Sequence, residues 1–381
     1  MGAVNEVRLR VWGQQPASFF ERAVIDADGT LAPTTGSCKG GMDVSYDGQW
    51  GYHPLVVSLA NTREPLFLVN RSGNRPSHEG AADRLDRAFD LCRRAGFKSI
   101  LARGDTDFSQ TAHLDRWDAA GEGEACPVTF LFGMDATPTR VMLAELLGEL
   151  AWTRLDRPPK YQPKAGPAGR RERPKDVKRQ VVRDRLFEHV ETDREDVAAF
   201  DYRPALCKRA YRMVVLRKKP GVSMGQERLW DEYRYFFFIT NDRATPPGDL
   251  VLLANGRCDQ ENLIQQLKTG VRAMRMPAHD LVSNWAYMAM AMASLAWTLK
   301  AWAGLLLPVG QGVHKERDEG RKRDVARMEF KRFAASLVQL PCQVVKAGRR
   351  VVYRLLAWNP WAGVLVRAAE AWRRPSRPMT C

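Results

Sequence analysis

Two aspartates one residue apart close an apolar run: Asp26 and Asp28, in the stretch VIDADGT from Val24 to Thr30. Residues two apart on a strand project to the same face, so both carboxylates serve one place. A further aspartate, Asp105, stands in RGDTDF directly after the apolar stretch KSILA. Glu261 lies far downstream in RCDQENLIQQLK. Converging carboxylates repel one another unless a cation lies between them, and oxygen ligands of this kind select Mg²⁺ or Mn²⁺. Taken singly, each aspartate reads as a turn cap at a strand end. On a helix, Arg257, Glu261 and Lys268 fall at i, i+4 and i+11, which about 3.6 residues per turn brings to one face. Leu263, Ile264 and Leu267 form the neighbouring apolar stripe. The same charged row is also how a solvated helix surface reads.

The elements that must position these acids follow from period and punctuation. Arg22–Asp28 reads as a strand ending in the acidic pair, and Pro54–Ala60 and Pro65–Asn70 as two strands of a hairpin. Ser77–Ala95 has helical period, with Leu85, Phe89 and Cys92 on one stripe and Gly96 as its stop. Lys98–Ala102 is a strand, Gln110–Ala120 a short helix and Val128–Phe132 another strand. Tyr211–Arg217 and Arg234–Thr240 read as paired strands, and a helix beginning near Asn255 runs to Gly270. The order strand, strand, strand, helix, strand, helix, strand is that of an α/β ribonuclease H-like fold, a mixed sheet with helices on both faces. It predicts that the strand ending at Asp28 lies beside the strand before Asp105.

Four regions are expected: 1–156 and 248–310 as the two parts of that core, 157–247 as a basic linker with a β-rich insertion, and 311–381 as a basic C-terminal region. The linker Arg157–Arg185 holds eleven Lys/Arg against three acids, and Gln311–Cys381 sixteen against six. The 381 residues carry a formal charge of +15, which points to a polyanionic partner, nucleic acid before membrane. Seven cysteines without zinc-ligand spacing suit free thiols in a reducing cytoplasm. The apolar stretch Trp285–Leu299 is shorter than the roughly 20 residues a membrane span needs and reads as a buried helix.

Two families share these motifs. Asp26 to Thr30 matches the Asp-x-Asp-Gly-Thr loop of haloacid dehalogenase-like phosphatases, in which Asp26 would be nucleophile and Asp28 general acid/base. That resemblance gives no role to the RCDQENLIQQLK helix or to the net charge. The wider set, DADGTLAPT, GYHPLVVSLANT, RGDTDFSQ, RCDQENLIQQLK and NWAYMAMA, resembles bacterial insertion-sequence transposases of the DDE class. Within them it resembles the branch with a Tyr-x2-Arg-x3-Glu-x6-Lys signature, of insertion sequence 1380 type. Arg257, Glu261 and Lys268 fit that spacing, while Ala254 stands at the tyrosine position.

The resemblance implies metal-dependent cleavage and strand transfer of DNA ends. Asp28, Asp105 and Glu261 would be the catalytic, metal-holding triad for two Mg²⁺ or Mn²⁺ ions, with Asp26 as the alternative first acid. Arg257 and Lys268 would contact phosphates. Partners would be terminal inverted repeats and target DNA, with a homodimer in the DNA complex, no membrane, and a cytoplasmic, nucleoid-associated location. Related transposases carry a longer end-recognition segment before the first aspartate; here 27 residues precede Asp28. A truncated copy or a late-assigned start are the alternatives, and a remnant that binds DNA without cutting it is a third reading.

Overall fold

The computed structural model describes residues 2–119, 126–157, 177–184, 189–224, 233–290, 297–310, 312–355 and 359–373. The linker expected at Arg157–Arg185 therefore lies largely outside the described residues. Two compact units form: Met1–Thr129 together with Arg257–Cys381, and Phe130–Gly256.

The first unit contains every predicted site residue. Its strands are β1 (Ala23–Gly29), β2 (Leu55–Leu59), β3 (Glu64–Val69) and β4 (Ile100–Gly104), in the order β3-β2-β1-β4. β2 and β3 form the expected antiparallel hairpin. β1 runs antiparallel to β2 but parallel to β4. This is the mixed α/β sheet expected of a ribonuclease H-like fold, and the strand of Asp28 lies beside the strand that precedes Asp105. β2 is buried along its whole length, as its unbroken Leu-Val-Val-Ser-Leu run requires. The crossover from β3 to β4 passes through helix α2 (Ala81–Ala95), which packs against β1 to β4. Leu85, Phe89 and Cys92 are its buried stripe, and Gly96 ends it in a left-handed conformation at φ 91°.

One element had no periodic signal: helix α1 (Gly2–Trp12). Polar ties seat it. The buried Glu64 carboxylate accepts hydrogen bonds from Arg8 Nε at 3.1 Å, Trp12 Nε1 at 2.9 Å, Thr62 Oγ1 at 2.6 Å and Trp302 Nε1 at 2.7 Å. Four donors around one carboxylate offset its loss of water. The helix so joined to α1 and β3 is Thr298–Leu306.

After α2 and β4 comes helix α3 (Thr111–Ala119). The second unit then holds four long antiparallel strands: β5 (Val128–Met134), β6 (His189–Tyr202), β7 (Tyr211–Met224) and β8 (Arg234–Thr240), ordered β5-β8-β7-β6. Tyr211–Met224 and Arg234–Thr240 pair as the sequence predicts. Helix α4 (Pro247–Asn255) closes this unit, and the chain re-enters the first unit as α5 (Cys258–Gln265).

The region beyond residue 311 contains helix Lys315–Arg327, the hairpin Cys342–Ala347 with Arg350–Leu355, and helix Ala362–Arg373. Val325, Met328, Phe333, Leu337 and Val364 pack with Ala303 and Leu307 into a small core. The NWAYMAMA stretch starts with helix Leu281–Ala286, where Trp285 Nε1 donates to Leu68 O at 2.6 Å on β3. Residues 291–296 of that apolar run lie outside the described residues, among which no helix is long and apolar enough to cross a membrane.

Candidate metal and DNA-processing site

The site is assembled at the carboxyl ends of β1 and β4. Their parallel register pairs Asp26 with Arg103, so Asp28 and Asp105, each two residues farther on, emerge together. Asp105 does two things. Its Oδ1 accepts from the Asp107 backbone N–H at 3.1 Å, capping the turn Thr106–Phe108, as a strand-end aspartate ordinarily does. Its Oδ2 faces Arg257, 3.7 Å from Nη2. The other terminal nitrogen of the same guanidinium, Nη1, donates to Asp28 Oδ2 at 3.1 Å. Two carboxylates from neighbouring strands thus converge on one cation.

Asp26 is a different case. Arg103 grips it through two bonds, Nε to Oδ1 at 2.7 Å and Nη2 to Oδ2 at 2.8 Å, and it is 1% exposed. Burial pushes the Asp26 carboxyl above its ordinary value, against the pull of Arg103. A nucleophile must reach its substrate with a free oxygen, and neither oxygen of Asp26 is so placed. The phosphatase reading of VIDADGT is not favoured, because its nucleophile is a buried half of a cross-strand ion pair.

Arg257 ends the turn before α5 and Glu261 lies in that helix's first turn. Glu261 is exposed and makes no hydrogen bond or ion pair among the described residues. Its charge is nonetheless felt at Asp28. The expected single α-helix through Lys268 changes character: regular α-helix stops at Gln265 and Gln266–Gly270 form a wider π-turn. Such insertions are frequent at functional sites. Lys268 is half-buried, and its pKa is lowered by burial while Asp28 opposes the shift.

Electrostatics favour a cation here. Burial pushes the Asp28 carboxyl up to about 7, with Arg257 lowering it and Asp105 and Glu261 raising it further. Asp105 is raised by burial as well, again against Arg257. Two half-buried acids, Asp28 raised by Asp105 and Asp105 by Asp107, are relieved by positive charge, and the guanidinium of Arg257 supplies it. The chemistry of Asp28 and Asp105 therefore fits a divalent cation shared by the two. Among the described residues, no group of three or more acidic, histidine or cysteine side chains is gathered closely enough to hold an ion, so the structure brings Asp28 and Asp105 together but not Glu261 with them.

Sequence reasoning missed the scaffold around the acids. Arg103 is one such residue, and the pairing register of two strands was needed to find it. Gly29 is another: a Cβ there would lie 2.9 Å from His53 Nε2 and 3.1 Å from Ser77 Cβ, so a glycine is required where that loop crosses. Buried Arg71 holds the loop by donating to the carbonyls of Pro76 and Ser77, each at 3.0 Å, and of Glu79 at 2.7 Å. The Gly in Asp-Gly-Thr carried this signal, but two motifs share it.

No curated protein matches the sequence. Among solved structures, the chain is similar to the piggyBac transposase synaptic complex with hairpin DNA, at 10% identity and a TM-score of 0.36. That likeness covers 84% of this chain, which spans about 55% of the length of the other. Residues 9–376 match the model of the family described as transposase DDE domain group 1, and the chain belongs to that family.

Proposed function

We propose that this protein cleaves the ends of an insertion sequence and joins them to target DNA in a metal-dependent reaction. The observation that carries the reading is the meeting of Asp28 and Asp105 on one cation at adjacent strand ends. Membership of a DDE transposase family supports it. In this reading Asp28, not Asp26, is the first acid, Asp105 the second and Glu261 the third. Together they would hold Mg²⁺ or Mn²⁺, two ions in the complete site. Bound divalent metal supplies Lewis acidity, lowering the pKa of the attacking water or 3′-hydroxyl and stabilising the leaving oxygen.

The chain's own cations do the rest. Arg257 and Lys268 flank the acids, where a guanidinium and an ammonium bind and orient phosphates of the DNA end. Arg257 would exchange its carboxylate partners for phosphate as DNA enters. Terminal inverted repeats and target DNA are the proposed partners, with a homodimer in the DNA complex. The insertion sequence 1380 branch and a bacterial, nucleoid-associated setting belong to the same proposal.

The test uses DNA carrying the matching terminal repeats. With Mg²⁺ or Mn²⁺ the protein should nick and join it. Asp105→Asn should abolish both steps while DNA affinity is retained, since a neutralised ligand removes no phosphate contact. Glu261→Gln should eliminate strand transfer, and para-nitrophenyl phosphate should stay intact. Cleavage that persists in Asp105→Asn or in EDTA would sink the metal mechanism. Ester turnover that survives Glu261→Gln but not Asp26→Ala would restore the phosphatase.

A further inference from the structure

The helix that brings Arg257 and Glu261 to the site is fixed to the sheet by a residue between them. Gln260 is 2% exposed, and its carboxamide reaches two points on β2. Its Nε2 donates to Val56 O at 3.2 Å, and its Oε1 accepts from the hydroxyl of Ser58, which is 1% exposed. Those two points are not arbitrary. In the antiparallel register of β1 and β2, Val56 is the partner of Asp28 and Ser58 the partner of Asp26. Directly opposed residues of an antiparallel pair share a face. The helix is thus tied to the strand positions that lie opposite the two aspartates, on the face those aspartates occupy.

The rest of this contact is apolar. Leu263, Ile264 and Leu267 cluster with Val56, Leu68 and Tyr52. Apolar burial is non-directional, so it holds the helix down without fixing its rotation or its position along the strand. Hydrogen bonds carry distance and angle requirements and do fix them. A rotation of α5 about its axis would swing Glu261 and Arg257 together, since they are one turn apart. The pairing of β2 with β3 shifts register between Val57 and Ser58, a local irregularity at the strand position that Gln260 engages.

We propose that Gln260, through Ser58 and the Val56 carbonyl, is a positioning residue that sets the third acid against Asp28 and Asp105. The proposal rests on the transposase reading above. Gln260→Met keeps length and apolar bulk but removes both bonds; Ser58→Ala removes one from the other side.

With full-length protein, Mn²⁺ affinity read by electron paramagnetic resonance should fall about 10–100-fold in Gln260→Met, the range known for partners that orient metal ligands. Single-turnover cleavage at saturating DNA should fall by a similar factor. The far-ultraviolet circular dichroism should stay at its wild-type value, and the Kd for DNA ends should weaken by no more than it does in Arg257→Ala, since Arg257 moves with the same helix. The double variant should be no worse than Gln260→Met alone, because both changes cut the same tie. Should Gln260→Met not fold, Ser58→Ala carries the same test.

Wild-type Mn²⁺ affinity and cleavage in the folded variants would overturn the proposal, as would a loss of DNA affinity greater than that of Arg257→Ala, which marks a merely structural residue. Two controls separate this failure from failure of the parent reading. If wild type cleaves, Asp105→Asn does not, and Gln260→Met behaves as wild type, only the positioning role falls. If wild type neither binds Mn²⁺ nor cleaves, or Asp105→Asn does both, the transposase reading falls and takes this proposal with it.

Discussion

Two aspartates in one motif have opposite environments, and this makes them separable by experiment. Asp26 is a structural ion: both its oxygens bond to Arg103 and the pair is nearly inaccessible. Removing one half of a buried pair costs about 3–5 kcal/mol, because the remaining charge keeps its desolvation penalty. Asp26→Ala should therefore lower stability by that amount in urea titration, and adding Arg103→Met should recover much of the loss. A single variant within about 1 kcal/mol of wild type would show that the pair is not what joins β1 to β4. The sequence placed Asp26 and Asp28 on one face but had no means to rank them. Their difference arises from Arg103, which is 77 residues away and opposes Asp26 only once the strands pair in parallel. Asp105 is readable both as a turn cap and as a ligand; in the structure its Oδ1 caps the turn and its Oδ2 faces Arg257.

The elements were legible wherever a period of two or 3.6 was strong. The β2–β3 hairpin, α2 with its Gly96 stop, and the strands ending at the acids all follow from such patterns. Elements held by polar contacts were not legible: α1 is seated by the buried Glu64 carboxylate, and no local pattern announces a partner so distant in the chain. The switch from α-helix to π-turn after Gln265 was also hidden, since one residue's change in winding leaves composition untouched.

Helix Thr298–Leu306 offers a quantitative test at this scale. Its Lys300 is 2% exposed, donates to Ala326 O at 2.7 Å and lies 4.5 Å from the Trp297 ring. Burial, reinforced by Arg63, pulls its pKa from 10.5 down to about 8. Between those values the unfolded chain binds more protons than the folded one, so this group makes stability rise with pH. Below pH about 8 the full penalty of the buried ammonium is present. Lys300→Met should accordingly be more stable than wild type at neutral pH by roughly 1–3 kcal/mol. The gap should close as pH climbs toward 10. Urea midpoints across that range that keep a constant gap, or favour wild type throughout, would mean the ammonium is not penalised by burial.

For the whole chain the governing quantity is charge. The excess of 59 Lys/Arg over 44 Asp/Glu gives +15, and Arg157–Arg185 contributes eleven Lys/Arg against three acids. A protein that neutralises DNA phosphates releases condensed counter-ions, and log affinity falls linearly with log salt at about 0.9 per phosphate contacted. With some 6–10 such contacts, affinity for duplex DNA should drop about 10³–10⁵-fold between 50 and 200 mM salt, read by fluorescence anisotropy. The site and the basic run divide this effect. Replacing five of the eleven Lys/Arg of Arg157–Arg185 with serine should flatten the slope for any sequence by as much as about 4, since those charges meet only backbone. Asp105→Asn should leave the slope unchanged. A fall of less than about tenfold over that salt range would show that the positive charge is an ordinary solvated surface. A slope that flattens when Arg257 and Lys268 are replaced by serine, but not in the serine variant of the basic run, would place the main phosphate contacts beside the acids and not along that run.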